Sequence, residues 1–118
     1  MTELLSLEKI GNIVAKHSEL ELCELRGNKT RQEKFKTPRQ IAFYFSYRCT
    51  RKSYAKIGAY FGSKEHATVM YGIDVVKKMV VTNDPIYMKI FIPAKKEIQE
   101  LIGKLVVQEP MKSFDPVI

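Results

Sequence analysis

Lys64, Glu65, His66, Ala67 and Thr68 stand side by side just before an apolar stripe, and offer in turn an ammonium, a carboxylate, an imidazole, a methyl and a hydroxyl. Such a set makes contacts rather than a reaction: a carboxylate accepts from an amino group, an ammonium meets an anion, and a methyl packs on a methyl. No carboxylate pair, Ser/His/Asp set or Cys/His pair stands out elsewhere to join it. No G-x-x-x-x-G-K followed by Ser or Thr occurs to cradle a nucleotide phosphate. His66 is therefore read as a hydrogen-bonding group for a base or phosphate, and neither an enzymatic activity nor a nucleotide, metal or other cofactor is expected.

The elements that must position these residues lie between Thr50 and Val80. Ser53 is placed to cap a short helix in which Ile57 and Phe61 stand four apart, and Gly62 follows where helices commonly end in a left-handed residue. A second helix begins near Lys64, with Val69, Ile73, Val76 and Val80 spaced for one buried stripe. Two helices joined by a tight glycine turn make the helix-turn-helix plan, whose second helix enters the DNA major groove. The polar group then occupies the first turn of that helix.

Charge points the same way. The 118 residues carry a net +7 with a pI near 9.4, which favours a polyanionic partner. Ten of the basic residues (Arg26, Lys29, Arg31, Lys34, Lys36, Arg39, Arg48, Arg51, Lys52 and Lys56) fall in one stretch with Glu33 as the sole acid among them. Concentration of charge just before and within the hairpin is the footprint expected of a phosphate-contacting face. Cys23 and Cys49 have no metal-ligand spacing and are expected to be small core thiols of a reducing compartment. With no signal segment and no run near the roughly 18 apolar residues of a membrane helix, a cytoplasmic, nucleoid-associated protein with no membrane partner is expected.

In chain order, Ser6 caps an amphipathic helix ending near His17, whose imidazole is expected to meet the helix dipole or solvent. Leu20, Leu22 and Leu25 suit a short helix or turn closed by Gly27 and Asn28. The basic segment RGNKTRQEKFKT is read as a loop, an arm along a DNA backbone or into the minor groove. Thr37 then caps, Pro38 takes the first helical position, and a central helix follows to Thr50, placing Arg39 and Gln40 where side chains and backbone amides can both hold phosphate. Phe43, Tyr44, Phe45 and Tyr47 are assigned to core packing. After a break at Thr82 to Pro85, a last helix carries Ile98, Leu101, Ile102 and Leu105 on one face and is expected to kink or split at Pro93. Residues 1–107 form one domain in this reading, and 108–118 a loose tail.

These residues carry a family resemblance. The stretch from Thr37 to Val76 resembles the C-terminal DNA-binding domain of the bacterial replication initiators, the DnaA family. The landmarks are Pro38, Arg39 and Gln40 opening the central helix, Ile57, Gly58, Phe61 and Gly62 in the turn, and Lys64, Glu65, His66, Ala67, Thr68 and Val69 where the family has Arg-Asp-His-Thr-Thr-Val, all without a gap. The resemblance implies an all-α fold: a small Trp-repressor-like helical bundle containing a helix-turn-helix that binds a short asymmetric duplex site, the DnaA box, as a monomer. Carried over, Glu65, His66, Ala67 and Thr68 take the recognition positions, Arg39 and Gln40 the phosphate-clamping ones, and Lys29 or Arg31 the basic-loop position that enters the minor groove. Tyr54 and Ala55 stand where the family offers apolar contacts to thymine methyls. Glu65 is longer than the usual Asp, Ala67 lacks a Thr hydroxyl, and the segment before Pro38 is about two residues longer than usual, so DNA binding is expected while the standard box is not assured. The family's nucleotide-binding module has no counterpart in these residues, and a stand-alone binder without ATPase activity is expected. The function so read is sequence-specific double-stranded DNA binding related to replication-origin recognition. The alternatives are a transcriptional regulator of a phage or mobile element, and an adaptor that keeps the fold to hold another replication protein.

Overall fold

Capping decides where most of the helices begin. The computed structural model describes residues 5–27, 33–50, 52–62 and 65–105, and among them places six helices and no strand: α1 (Leu7–His17), α2 (Leu22–Arg26), α3 (Glu33–Cys49), α4 (Tyr54–Tyr60), α5 (His66–Val81) and α6 (Pro85–Leu105). The Ser6 hydroxyl accepts from the Lys9 amide at 3.1 Å and the Ser53 hydroxyl from the Lys56 amide at 3.2 Å. Asp84 accepts from the amides of Ile86 and Tyr87 at 3.0 and 3.3 Å, and Pro85 fills the first helical position, where its missing N–H has no partner to lose.

Two helix ends close without glycine. Glu19 and Asn83 have φ of 61° and 58°, and each sits just past a helix. The Leu20 amide reaches back to the Ala15 carbonyl and the Asp84 amide to the Met79 carbonyl, both at 2.9 Å. That is the Schellman closure, which satisfies carbonyls that the last turn leaves unpaired.

Helix α3 touches each of the other five helices. Its residues 41–46 are all buried, as a surrounded helix requires. Phe45 stacks on Phe91 of α6 with ring centroids 5.0 Å apart, and Phe43 meets Phe61 edge-on at 6.1 Å, so the aromatic run joins α3 to the last helix and to the hairpin turn. The expected stripe of α5 is buried at Val69, Ile73, Val76 and Val80. Gly72 sets the α3–α5 approach, because a Cβ there would lie 2.9 Å from Phe43 Cδ2.

Several expectations are corrected. Helix α3 begins at Glu33, so Thr37 is no cap and Pro38 lies inside the helix. Burial of Phe35 gives the early turns an apolar anchor, and packing offsets the backbone donor that Pro38 lacks. Of the basic segment, Arg26 ends α2 and residues 33–37 belong to α3, while 28–32 lie outside the described residues. Helix α6 runs through Pro93 as one element rather than two. Tyr47 is 43% exposed, unlike its three aromatic neighbours, and Cys23 is exposed rather than in the core. The Cys49 thiol is half-buried, and burial, against the charge of Arg48, pushes its pKa up to about 12. The expected tail, 108–118, lies outside the described residues.

His17 does not simply face solvent. Its Nε2 lies 2.8 Å from Glu97 Oε1, which Lys16 Nζ also approaches at 2.8 Å, tying the end of α1 to α6. Burial pushes the Glu97 carboxyl upward, but the hydrogen bonds and charges of Lys16 and His17 outweigh it and hold the pKa below the ordinary carboxylate value. A folded pKa below the unfolded one adds stability above the unfolded value, about 4.3, and that stability is lost as pH falls through the lower folded value. With Glu97 and Lys16 side chains 34% and 61% exposed, solvent screening limits the effect. Glu97→Gln should lower stability by about 0.5–1 kcal/mol near neutral pH and by progressively less at a pH well below the ordinary carboxylate range. Urea unfolding at the two pH values checks this.

Candidate nucleic-acid interface

The hairpin is built from α4, the Phe61–Gly62 turn and α5. Ile57 and Phe61 are fully buried, and Gly62 has φ +99° with its α-carbon turned toward the end of α2, where an added Cβ would lie 2.9 Å from the Gly27 carbonyl oxygen. Helix α5 starts at His66, slightly later than the sequence suggests, with Glu65 as its N-cap residue. The Glu65 carboxylate makes no capping bond, and Glu65, His66, Ala67 and Thr68 are all exposed while Val69 turns inward. The four described recognition positions are thus brought together on one outward turn. Lys64 lies outside the described residues.

Neighbouring side chains enlarge this surface. Met70 and Tyr71, which the sequence reading passed over, continue the outward side of α5, Tyr71 being 64% exposed. Ala55 and Lys56 are exposed on the first turn of α4, and Tyr54 is half-buried. Tyr54 stacks on Tyr47 with centroids 4.6 Å apart and ring planes within 12°, and packs against the His66 imidazole at 4.9 Å. Tyr47 therefore joins the site. Its place on α3, four positions beyond Phe43, hid it among core aromatics.

Arg39 and Gln40 are placed differently from expectation. They sit well inside α3, past the helix N-terminus, and their side chains face inward at 6% exposure each. Arg39 Nε donates to the Leu25 carbonyl at 2.9 Å, and Nη2 donates to the carbonyls of Gly27 at 2.9 Å and Glu24 at 3.2 Å. Burial lowers the guanidinium's pKa. Gln40 Oε1 accepts from the Tyr87 hydroxyl at 2.7 Å. The reason is at the end of α2: Gly27 is extended, with φ −68° and ψ 143°, so no Schellman closure satisfies the final carbonyls and the fork of Arg39 does so instead. The sequence carried no signal of this, since Gly27 reads as an ordinary helix-closing glycine and its extended backbone is visible only in the fold.

Arg26 and Arg48 are also engaged by the chain itself. Arg26 lies 3.9 Å from the Tyr60 ring centroid and donates from Nε to the Tyr60 carbonyl at 2.9 Å. Arg48 donates to the Tyr44 hydroxyl at 3.3 Å. Three of the ten basic residues counted as a phosphate footprint thus bond to the protein itself, and exposed charge among the described ones comes from Lys36, Lys56 and Arg26, which stays exposed beside Tyr60. Lys29 and Arg31 lie outside the described residues. Their segment nevertheless leaves from a fixed point, because Arg39, Arg26 and the Gly62 contact all hold the chain at Arg26 and Gly27.

Other kinds of site are poorly supplied. Among the described residues no three His, Cys, Asp or Glu side chains gather to hold a metal ion, and no helix is long and apolar enough to cross a membrane. A groove of about 430 Å³ is lined by His17, Pro93, Lys96, Glu97, Glu100 and Leu101, and shares no residue with the hairpin.

A family model described as the bacterial dnaA protein helix-turn-helix matches residues 7–76, from the start of α1 well into α5. The chain belongs to this family. It is similar to the chromosomal replication initiator protein DnaA of Lactobacillus helveticus, 39% identical over 87 residues that make up 74% of this chain and 19% of that protein. The DnaA of Geotalea uraniireducens is 34% identical over 97 residues, 82% of this chain and 21% of the relative. That of Geotalea daltonii is 37% identical over 79 residues, 67% and 18% respectively. The chain thus spans about one fifth of the length of these curated relatives. A DnaA-family helix-turn-helix accords with the all-helical fold and with DNA binding.

Proposed function

We propose that this chain binds double-stranded DNA sequence-specifically, in a role related to replication-origin recognition and without a nucleotide cofactor. The observation that carries the reading is the shared exposure of Glu65, His66, Ala67 and Thr68 at the start of a helix whose other side is buried against the core. In the major groove, Glu65 accepts from a cytosine amino group, His66 bonds a base edge or phosphate, and the Ala67 methyl meets a thymine methyl. Tyr54 and Ala55 add apolar contact, Lys64 and the exposed lysines meet phosphate, and Lys29 or Arg31 reaches the minor groove. Arg39 and Gln40 are left out of the contact set, since their polar atoms are engaged inside the protein.

Selection of bound sequences from a random duplex pool tests this. A defined consensus should emerge, with affinity falling steeply as salt rises, because phosphate contacts release counterions. His66→Ala should weaken binding to the selected duplex about tenfold, the size of one lost base contact, with little change in melting temperature. Weak, sequence-blind association at low and high salt alike would overturn the reading in favour of a protein-binding adaptor.

A further inference from the structure

Three aromatic rings from three different helices form a row that ends at the recognition turn. Tyr47 comes from the last turns of α3, Tyr54 is the first residue of α4, and His66 is the first residue of α5. The Tyr47 and Tyr54 rings lie nearly parallel at 4.6 Å, and the Tyr54 and His66 rings are tilted by 37° at 4.9 Å. Tyr54 sits between its two neighbours. The core does not require the row: Tyr47 is 43% exposed and His66 is exposed.

An exposed histidine opening a helix ordinarily samples several side-chain orientations, and binding must select one of them. Stacking restricts the ring plane beforehand, and Tyr47, stacked on Tyr54, restricts Tyr54 in turn. We infer that Tyr47 and Tyr54 are positioning residues that hold the His66 imidazole in one orientation, and so set the sequence discrimination of the recognition turn. This role rests on the DNA-binding reading above. It differs from an apolar contact by Tyr54 to thymine in one respect: the ring acts through His66, so its loss is felt at whatever His66 reads.

Two measurements on the full chain test the inference. The first needs no DNA. Proton NMR of the two histidines should show the His66 ring protons shifted upfield by the Tyr54 ring current, moving toward ordinary positions in Tyr54→Leu and staying put in Tyr54→Phe, with His17 as the internal control. The second compares wild type, Tyr54→Phe, Tyr54→Leu and Tyr47→Leu on the selected duplex and on unrelated duplex. Tyr54→Leu should lose about three- to tenfold of the affinity ratio between the two, Tyr47→Leu somewhat less, and Tyr54→Phe little. An unshifted His66 resonance in Tyr54→Leu overturns the inference and leaves the DNA-binding reading standing. So does a melting temperature that falls with no change in the affinity ratio, since that is the behaviour of a packing contact. Wild type with no preference among duplexes overturns the DNA-binding reading itself, and this role with it.

Discussion

Arg39→Ala should lower the unfolding free energy by about 3 kcal/mol, and the melting temperature by roughly 10–20 °C, in the absence of DNA. The guanidinium is buried and donates to three carbonyls at the end of α2. Truncation removes charge-assisted bonds and leaves those carbonyls short of donors, a loss well above that of a surface arginine. Arg39→Lys should recover less than half of the stability, because an ammonium on a flexible stem cannot reproduce a planar fork that spans the Leu25, Gly27 and Glu24 carbonyls. A phosphate-clamping Arg39 would behave in the opposite way: the free protein would melt unchanged, while the salt dependence of DNA binding would lose about one unit of slope. A thermal melt of the free protein therefore separates the two roles before any duplex is added.

The contrast between Arg39 and His66 shows what the sequence reveals and what it hides. Patterns that depend on neighbours along the chain were legible. The Ser53 cap, the Gly62 turn and the stripe of Val69, Ile73, Val76 and Val80 follow from local geometry, and each is present in the fold. Outward display of Ala67 and Thr68 follows from the same period, whereas Glu65 and His66 lie one turn before Val69 on the stripe's own side and are exposed where the helix begins. Charge was less legible. A count of arginines does not distinguish a side chain offered to a partner from one bound to its own chain, and Arg26, Arg39 and Arg48 are all of the second kind. Arg26 and Arg39 bond carbonyls 12 to 34 positions away, which no local pattern announces, while Arg48 meets the Tyr44 hydroxyl one turn back along α3. The start of α3 was misplaced for a related reason. Proline usually marks a helix start, but burial of Phe35 upstream favours carrying the helix back past Pro38, and that burial exists only in the assembled core. Tyr47 was hidden because three neighbouring aromatics are buried, while its own direction depends on where α4 and α5 come to rest.

Gly62→Ala should be nearly as damaging, lowering stability by about 2–4 kcal/mol. Two effects combine. At φ +99° an L-residue is strained, and the new methyl would stand 2.9 Å from the Gly27 carbonyl oxygen and 3.4 Å from that of Arg26. Both obstacles are backbone atoms, so no side-chain rotation relieves the clash. Gly27 cannot easily retreat, because its carbonyl also accepts from Arg39 Nη2 at 2.9 Å. The two substitutions should therefore be less than additive. Once Arg39→Ala frees that carbonyl, the end of α2 can shift away from the methyl, and the double variant should be more stable than the sum of the single losses implies by roughly 1 kcal/mol. Strict additivity in denaturant unfolding would show that the turn and the arginine act on Gly27 independently. The coupling also bears on recognition, since Gly27 is where the basic segment departs and Gly62 is where the chain turns into α5. In the DNA-binding reading, a methyl at Gly62 moves these two contact elements relative to each other. At a temperature where the variant is folded, affinity for the selected duplex should then fall although no contacting side chain has changed, because a duplex met by both elements requires their spacing to be fixed in advance.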